Sequence, residues 1–210
     1  KKKFFFDRLK KLTSYHDGPI STISYYIHSF LSEEISKKGY KVAISGTGAD
    51  EIFTGYYDHY LLHLQSIYKL QSFKENLKNW HKYVFPYVRN PYLKDPYVYI
   101  RDKKNRDNVY ETNLGINTFS RLKNELNFTE NKYAGGLLRN RMLNELFHEV
   151  VPVILKHDDL NSMFFSIENR SPYLDKEIVE FSLKIPTEIL IKNGYQKRLI
   201  RETSKKKLLN

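Results

Sequence analysis

The stretch KVAISGTGADEIFTGYYDHY, residues 41–60, constrains the fold more than any other part of the chain. A short apolar run, Val42 to Ile44, ends in a serine and two glycines, and the carboxylates of Asp50 and Glu51 follow at once. This order predicts a strand, a tight glycine loop and the start of a helix. Glycines let backbone N–H groups approach a ligand, and a helix N-terminus attracts negative charge.

These features favour a phosphate ligand. A carboxylate repels a phosphate unless a divalent cation lies between them, and Mg²⁺ is commonly bound through one or two carboxylates plus phosphate oxygens. The local pattern therefore suggests Mg-nucleotide or pyrophosphate binding, with Asp50 as a ligand of the metal ion. The pattern is neither GxGxxG nor a Walker loop. A purely structural turn, followed by a helix with an acidic first turn, is therefore an alternative explanation of the same residues.

The segment before this loop predicts a helix followed by a strand. A helix over residues 20–38 would have one apolar face, made of Ile23, Ile27, Phe30, Leu31 and Ile35. Gly39 fits a C-terminal cap of that helix. Residues 40–44 are short, β-branched and bounded by glycine, which predicts a buried strand.

Helix dominates the rest of the pattern, and no clear linker or repeat is present. One helix is expected to start near Ala49 and to run through 52–83, and further helices are expected at 119–125, 137–150, 176–184 and 195–208. Asp175 is a suitable N-cap for the helix over 176–184. Residues 101–114 are polar and without periodicity, which indicates a loop or a variable insertion.

Composition narrows the class of protein. The 210 residues are 40% hydrophobic and 28% charged, which is typical of a soluble globular protein, and we expect a cytoplasmic location. The absence of cysteine excludes disulfides, thiolate metal sites and a cysteine nucleophile. A net charge of +11 with 17 tyrosines leaves a basic nucleic-acid-binding domain as a minor alternative.

Several ordered motifs resemble one family. SGTGADEIFTGY is similar to the SGxGxDExFxGY signature in the synthetase domain of glutamine-dependent asparagine synthetases. SMFFSIENRSPYLDKEIVEFSLKIP resembles the family motif SMxxSxExRxPFLDxxLVExAxxLP, and GYQKRLIRE resembles the GxxKxxLR element that follows it. HDGPISTISYYIHSFLSEEI is similar to the helix before the signature strand, whereas residues 85–130 resemble a variable insertion.

The resemblance implies a helix-rich α/β fold, as part of a parallel-sheet domain of the ATP-pyrophosphatase (adenine nucleotide α-hydrolase-like) type with additional helices. It implies an adenylating, amide-forming ligase that uses ATP and Mg²⁺. ATP activates a carboxylate substrate as an acyl-adenylate with release of pyrophosphate, and ammonia from a glutaminase domain or partner attacks the acyl carbon. AMP is a far better leaving group than hydroxide, so ATP supplies the difficult step.

The family pattern assigns roles to residues around the loop. Ser45, Gly46 and Gly48 match positions that contact ATP, and Asp50 matches the acidic residue associated with Mg²⁺ and pyrophosphate. Glu51, its neighbour, is either a second ligand or a charge that stabilises the helix N-terminus.

Two later motifs supply further candidates. Arg170 could hold a carboxylate substrate in a bidentate pair, while a structural Glu168–Arg170 pair explains the same ExR element. Lys197 and Arg201 are four residues apart, which places them on one face of the last helix, where they could face a polyphosphate or solvent.

Thr47 and Leu160 depart from the family pattern. Asparagine-forming members resemble SGEG, and their glutamate is implicated in forming or aminolysing the aspartyl-adenylate. Thr47 at that position has no group that titrates near neutral pH and cannot act as a general base, although it can donate a hydrogen bond. Aspartate and another acid, such as a uronic acid, therefore both stay open as substrates. Leu160 replaces a basic residue that relatives often carry after the aspartate matching Asp159.

Other family features are not found in the sequence. The SGGLDS-type loop that grips ATP phosphates is missing, and the chain starts at Lys1 with methionines only at 142 and 163. We therefore expect residues 1–210 to be a partial synthetase domain that is inactive alone. The alternative is a non-catalytic nucleotide-binding or scaffold relative that kept the fold. No membrane association is expected, and the oligomeric state, with a homodimer as one option, is left open.

A metal site at the histidines is weakly supported. His59 and His63 are spaced i and i+4, but the sequence shows no HExxH motif and no obvious third ligand.

Overall fold

The computed structural model describes residues 2–105 and 129–208. In these residues it shows a helix-rich α/β architecture with a small parallel sheet. The elements follow in this order: α1 Lys2–Tyr15, α2 Ile23–Lys37, β1 Val42–Ile44, α3 Ala49–Phe53, α4 Tyr57–Ser66, α5 Phe73–Tyr83, α6 Val98–Arg101, α7 Leu137–Asn144, α8 Val151–Met163, β2 Glu168–Arg170, α9 Lys176–Lys184 and α10 Arg198–Leu208.

The chain divides into two compact units, each built from two stretches of sequence. The first contains Lys1–Gly48 and Leu146–Val179, and the second contains Ala49–Glu145 and Glu180–Asn210. None of the described helices is both long enough and apolar enough to span a bilayer.

The sheet of the first unit pairs β1 and β2 in parallel. Val42 lies opposite Glu168 and Ile44 lies opposite Arg170. The pairing continues past both strand ends, because Glu168 N–H donates to Lys41 O at 2.8 Å and Ser45 N–H donates to Arg170 O at 2.8 Å. These bonds fix the start of the Ser45–Gly48 loop against the end of β2.

Helices α2 and α8 pack together beside this sheet. Asn161 Nδ2 donates to Tyr25 O at 2.9 Å, and the Tyr25 ring stacks on His157 with centroids 4.4 Å apart. Ser36 Oγ donates to Phe165 O at 2.9 Å. The buried side of α2 therefore consists of aromatic and small polar residues, Tyr25, Tyr26 and Ser29.

The apolar face predicted for α2 is mostly exposed, and the prediction of a buried strand is wrong. On α2, Ile23, Ile27 and Leu31 are exposed, with Ile27 at 58%. On β1, Val42 is 42% exposed and Ile44 is 77% exposed, so the strand is not buried as predicted. Parallel strands are normally covered on both faces, and no described residue covers the side chains of Val42 and Ile44 in this way.

The second unit has its core around α4. Tyr60, Leu61, Leu62 and Leu64 are almost completely buried. The single helix predicted through 52–83 is wrong, because the chain breaks at residues 54–56 and again at 67–72 to give α3, α4 and α5. Thr54 has a φ of 65°, which ends α3, since an α-helix requires a negative φ at every residue.

The capping predictions are confirmed. Gly39 has a φ of 82°, and its N–H donates to Ser36 O at 2.9 Å. Asp175 Oδ1 accepts a hydrogen bond of 2.9 Å from Glu177 N–H at the start of α9. Both contacts satisfy backbone groups that a helix end leaves unpaired.

Helix positions elsewhere agree in part. The predicted helix over 137–150 is present as α7 followed by a short π-helix over Glu145–Glu149, and α9 has the predicted bounds. Helices α1 and α8 were not predicted. The predicted helix at 119–125, most of the 101–114 loop and part of the 85–130 insertion lie outside the described residues.

Candidate functional site

The loop after β1 is held by hydroxyl contacts within the first unit. Ser45 Oγ donates to Thr47 Oγ1 at 3.1 Å and lies 2.9 Å from Ser171 Oγ, the residue that follows β2. The loop is therefore fixed to both strands by its own side chains as well as by the backbone. Gly46 has no atom within 4 Å of the position a Cβ would take, so its surface is open.

Gly48 is required by two independent constraints. Its φ is 93°, in the left-handed region that side chains disfavour. A Cβ at this position would also overlap Leu174 Cδ2. The glycine spacing seen in the sequence thus has a steric cause, whatever ligand the loop binds.

Glu168 and Arg170 form an ion pair on the open face of the sheet. Arg170 Nε donates to Glu168 Oε1 at 2.8 Å, and Arg170 Nη2 donates to Glu168 Oε2 at 3.3 Å. The hydrogen bond from Arg170 lowers the pKa of Glu168, and Glu168 raises the pKa of Arg170. Both side chains are exposed, so the guanidinium is available to a competing carboxylate.

In the second unit, Asp50 and Lys197 form an ion pair between Lys197 Nζ and Asp50 Oδ1. Their side chains are 37% and 31% exposed, so both charged ends can reach a ligand. Gly55 makes this position of Asp50 possible, because a Cβ on Gly55 would overlap Asp50 Oδ1 and Cγ.

Two of the five described non-glycine residues with a positive φ lie at this pair. Thr54 and Lys197 both have positive φ values, 65° and 53°. Lys197 N–H donates to Thr54 Oγ1 at 3.5 Å, and Gln196 Nε2 donates to Tyr56 O at 2.5 Å. Non-glycine residues in this conformation cost about 1–3 kcal/mol each and cluster at functional sites. The strained turns hold the Lys197 ammonium against Asp50.

Glu51 is placed differently from Asp50. Its side chain is buried at 2% exposure, and its carboxylate accepts a hydrogen bond from Tyr56 Oη. Burial and Glu51 together raise the pKa of Tyr56. Of the two adjacent carboxylates, Asp50 is therefore the accessible one.

Lys197 and Arg201 do not share a helix face, because Lys197 lies outside α10 in a left-handed conformation. The sequence prediction for these two residues is corrected in that respect. Arg201 Nε donates to Gln196 O at 2.9 Å, and its guanidinium lies 5.8 Å from the Tyr195 ring centroid. Arg201 thus braces the turn that carries Lys197.

A buried ion-pair network joins α4 to the end of α7. Arg141 Nη1 donates to Asp58 Oδ2 at 2.9 Å and Arg141 Nε donates to Glu130 Oε1 at 2.5 Å, while His59 Nε2 lies 2.6 Å from Glu145 Oε2. Burial opposes the charge of His59, but the Glu145 carboxylate outweighs it and raises the pKa of the imidazole.

Among the described residues, Asp58, His59 and Glu145 form the one group with metal-ligand spacing. Arg141 and the His59–Glu145 contact already use ligand atoms of that group. His63 is not part of it, so the His59/His63 pair is not brought together as a metal site.

Comparison with known proteins places the chain in a family. The asparagine synthase family model matches residues 1–208. The chain belongs to the asparagine synthase family. Asparagine synthetase [glutamine-hydrolyzing] 1 of Bacillus subtilis (strain 168) is 26% identical over 218 residues, which cover 95% of this chain and 33% of that relative. The chain thus spans about a third of the length of that relative. No solved structure matches it.

The family resemblance seen in the sequence motifs is therefore confirmed. The sequence motifs also named Asp50 and Lys197, which the structure brings into contact. Thr54 and Gly55, which position that pair, were missed as functional residues. The only signal for them was their place within the signature TGADEIFTGY.

Proposed function

We propose that the chain is the synthetase part of an ATP-dependent ligase that adenylates a carboxylate and converts it to an amide. Ammonia from glutamine is the nitrogen source, and AMP and pyrophosphate are released. Family membership supports the reaction class, and the relative named as glutamine-hydrolyzing supports the source of nitrogen. The accessible, strained Asp50–Lys197 pair is the observation that carries the proposal.

Asp50 and Lys197 suit a magnesium–polyphosphate ligand. Mg²⁺ is usually held by one or two carboxylates together with phosphate oxygens, and Asp50 offers one partly exposed carboxylate. Lys197 offers an ammonium at the same place, which would neutralise phosphate charge. Mg²⁺, when bound, would neutralise charge on the pyrophosphate leaving group. Arg201 acts as a positioning residue, because its Nε donates to the Gln196 backbone carbonyl in the turn that carries Lys197.

In the first unit, we assign nucleotide contacts to the Ser45–Gly48 loop. Gly46 leaves its backbone open, and Gly48 has the left-handed conformation that a side chain would disfavour. Ser45 Oγ already bonds to Thr47 and Ser171, so its hydroxyl is oriented before any ligand arrives.

Thr47 bears on which carboxylate substrate the enzyme adenylates. Its hydroxyl bonds to Ser45 and can donate a hydrogen bond to a phosphate or adenylate oxygen, but it cannot remove a proton at neutral pH. A uronic acid is therefore proposed beside aspartate as the carboxylate substrate. Arg170 would hold a carboxylate of that substrate by exchanging its Glu168 partner for it.

The exposed apolar face of the first unit supports the proposal that the chain is part of a larger catalytic domain. Val42, Ile44, Ile27 and Leu31 would be covered there by further strands, which would also supply the missing ATP-gripping loop. On this basis the isolated 210-residue chain forms no product. Mg-ATP-dependent product formation by the isolated chain would contradict this part of the proposal.

The test is carboxylate-dependent ATP–pyrophosphate exchange by the protein with its natural flanking sequence. Aspartate, uronic acids and a reaction without acceptor are compared. Exchange that depends on one carboxylate establishes adenylate formation and names the acceptor. ATP binding without exchange for every acceptor would favour the non-catalytic relative, for which the loss of the family glutamate at Thr47 is the specific argument.

A further inference from the structure

The turn that carries Lys197 begins with a two-residue hairpin loop. Lys192 and Tyr195 exchange two backbone hydrogen bonds, from Lys192 N–H to Tyr195 O at 3.1 Å and from Tyr195 N–H to Lys192 O at 2.9 Å. Between them, Asn193 and Gly194 have positive φ values of 53° and 84°. Positive φ at both central residues is typical of a type I′ turn, for which Asn-Gly is a preferred pair. The hairpin therefore fixes where the chain leaves Tyr195, two residues before Lys197.

The ring of Tyr83, the last residue of α5, lies against this hairpin. A Cβ on Gly194 would overlap Tyr83 Cδ2, so the ring occupies space that any other residue would need at position 194. The Tyr83 and Tyr195 rings also stack, with centroids 5.5 Å apart and an interplanar angle of 29°. Tyr83 thus contacts the hairpin at two neighbouring residues and ties it to the end of α5.

Contacts on the other side of Tyr195 lead to Lys197. The Arg201 guanidinium lies 5.8 Å from the Tyr195 ring centroid, within the range of a cation–π interaction. Arg201 Nε donates to Gln196 O at 2.9 Å, and Arg201 N–H donates to Lys197 O at 3.0 Å. The residue that packs over the Tyr195 ring therefore also binds the backbone of Gln196 and Lys197.

Lys197 needs this support, because its backbone is held in an unfavourable conformation. Its φ of 53° lies in the left-handed region, and a non-glycine residue stays there only where surrounding contacts over-determine it. The stacked rings of Tyr83 and Tyr195 are 36% and 49% exposed, so they add little to the buried core of the unit. Their stacking instead restrains the chain as it enters the Gln196–Lys197 backbone.

We propose that Tyr195 is a positioning residue for the ligase reaction, which holds the Lys197 ammonium at Asp50 by stacking on Tyr83. This inference rests on the proposed function, because it takes Lys197 to contact the polyphosphate of ATP or pyrophosphate. Tyr195 acts through Lys197 and through its ring, since stacking does not use the hydroxyl. Without the ring, the turn loses its tie to α5, and the ammonium spends less time at Asp50.

ATP–pyrophosphate exchange by the protein with its natural flanking sequence tests this inference. Tyr195→Ala should lower kcat about tenfold, because a misplaced charge stabilises the transition state less, and should raise the KM for pyrophosphate but not for the carboxylate. Tyr83→Leu removes the stacking partner and should have the same effect. Tyr195→Phe keeps the ring and should exchange like the wild type, as should Tyr87→Ala, which removes a tyrosine of the same unit that is 68% exposed. Circular dichroism checks that each variant is folded.

A double-mutant cycle shows whether Tyr195 acts through Lys197. In the Lys197→Met background, Tyr195→Ala should lower exchange no further, because the ammonium that the ring positions is gone. A further loss of about tenfold in that background, or wild-type exchange in both Tyr195→Ala and Tyr83→Leu, would overturn the proposal.

The same cycle separates this inference from the proposed function. Undiminished exchange in Lys197→Met alone would contradict the Asp50–Lys197 site and with it the role of Tyr195. A loss in Lys197→Met without any loss in Tyr195→Ala would overturn only the role of Tyr195.

Discussion

Lys197 Nζ contacts Asp50 Oδ1, although the two residues come from the separate sequence stretches that build the second unit. Both side chains keep about a third of their surface exposed. Exposed ion pairs contribute only about 0–1 kcal/mol to stability, whereas the positive φ values of Thr54 and Lys197 cost more than that. On this ground we propose that the pair serves ligand binding rather than stability.

Gly55→Ala should move the Asp50 carboxylate. The new Cβ overlaps Asp50 Oδ1, so the side chain must rotate away from Lys197. We expect ATP–pyrophosphate exchange to fall at least about tenfold, with a stability loss of about 1–3 kcal/mol. Gly135→Ala is the matched control in the same unit, because nothing lies within 4 Å of its added Cβ. Equal exchange in both variants would show that Gly55 does not position Asp50.

Gly48→Ala should destabilise the first unit through two separable causes. The left-handed conformation costs a side chain about 1–2 kcal/mol, and overlap with Leu174 adds to it. In the double variant with Leu174→Ala, the overlap is removed and only the conformational cost remains. Urea unfolding of the two single variants and the double variant measures the coupling free energy between positions 48 and 174. Additive changes in the free energy of unfolding would contradict the overlap.

His63 should make stability depend on pH. Its pKa is lowered to about 4 by burial, against 6.5 for a histidine in water. Between these values the unfolded chain binds a proton that the folded chain does not, so the free energy of unfolding falls as pH falls. The limiting loss is about 3 kcal/mol.

The control for this pH dependence is His63→Gln, which cannot titrate. Urea unfolding is followed by Trp80 fluorescence from pH 7 to about pH 4. The difference in stability between the wild type and His63→Gln should change over this window. Parallel curves would show that His63 does not carry the effect.

Ile44→Lys distinguishes a free face from a covered one. Ile44 is 77% exposed, so in the 210-residue chain the change should alter stability by no more than about 0.5 kcal/mol. In the protein with its natural flanking sequence, further strands would bury the lysine, and the loss should exceed about 2 kcal/mol. Ile44→Val should be mild in both proteins. A small effect of Ile44→Lys in both would leave the proposed covering strands without support.

Local features of the fold could be read from the sequence. The apolar run, the glycines and the two carboxylates of residues 42–51 correctly predicted β1 and the start of α3. Gly39 and Asp175 cap their helices as predicted. Each of these depends on residues only a few positions apart. The break at Thr54 was not predicted, because the apolar pattern continues across it and a positive φ at threonine has no sequence signature.

Long-range features could be predicted only in part. The motifs named Asp50 and Lys197 separately, but their contact depends on how Gly55 and the strained turn at Lys197 fold. The apolar side chains of Val42 and Ile44 predicted a buried strand, but both are exposed. Whether a strand is covered depends on neighbouring elements, which the residues of the strand itself do not indicate.

The most direct test is carboxylate-dependent ATP–pyrophosphate exchange by the protein with its natural flanking sequence, using wild type, Lys197→Met, Asp50→Asn and Lys184→Met. We predict exchange in the wild type and in the exposed control Lys184→Met. Removal of either charge of the Asp50–Lys197 pair should lower it by about 10²–10³ while changing stability by less than about 1 kcal/mol. Undiminished exchange in Lys197→Met and Asp50→Asn, or none in the wild type with any acceptor, would contradict the account.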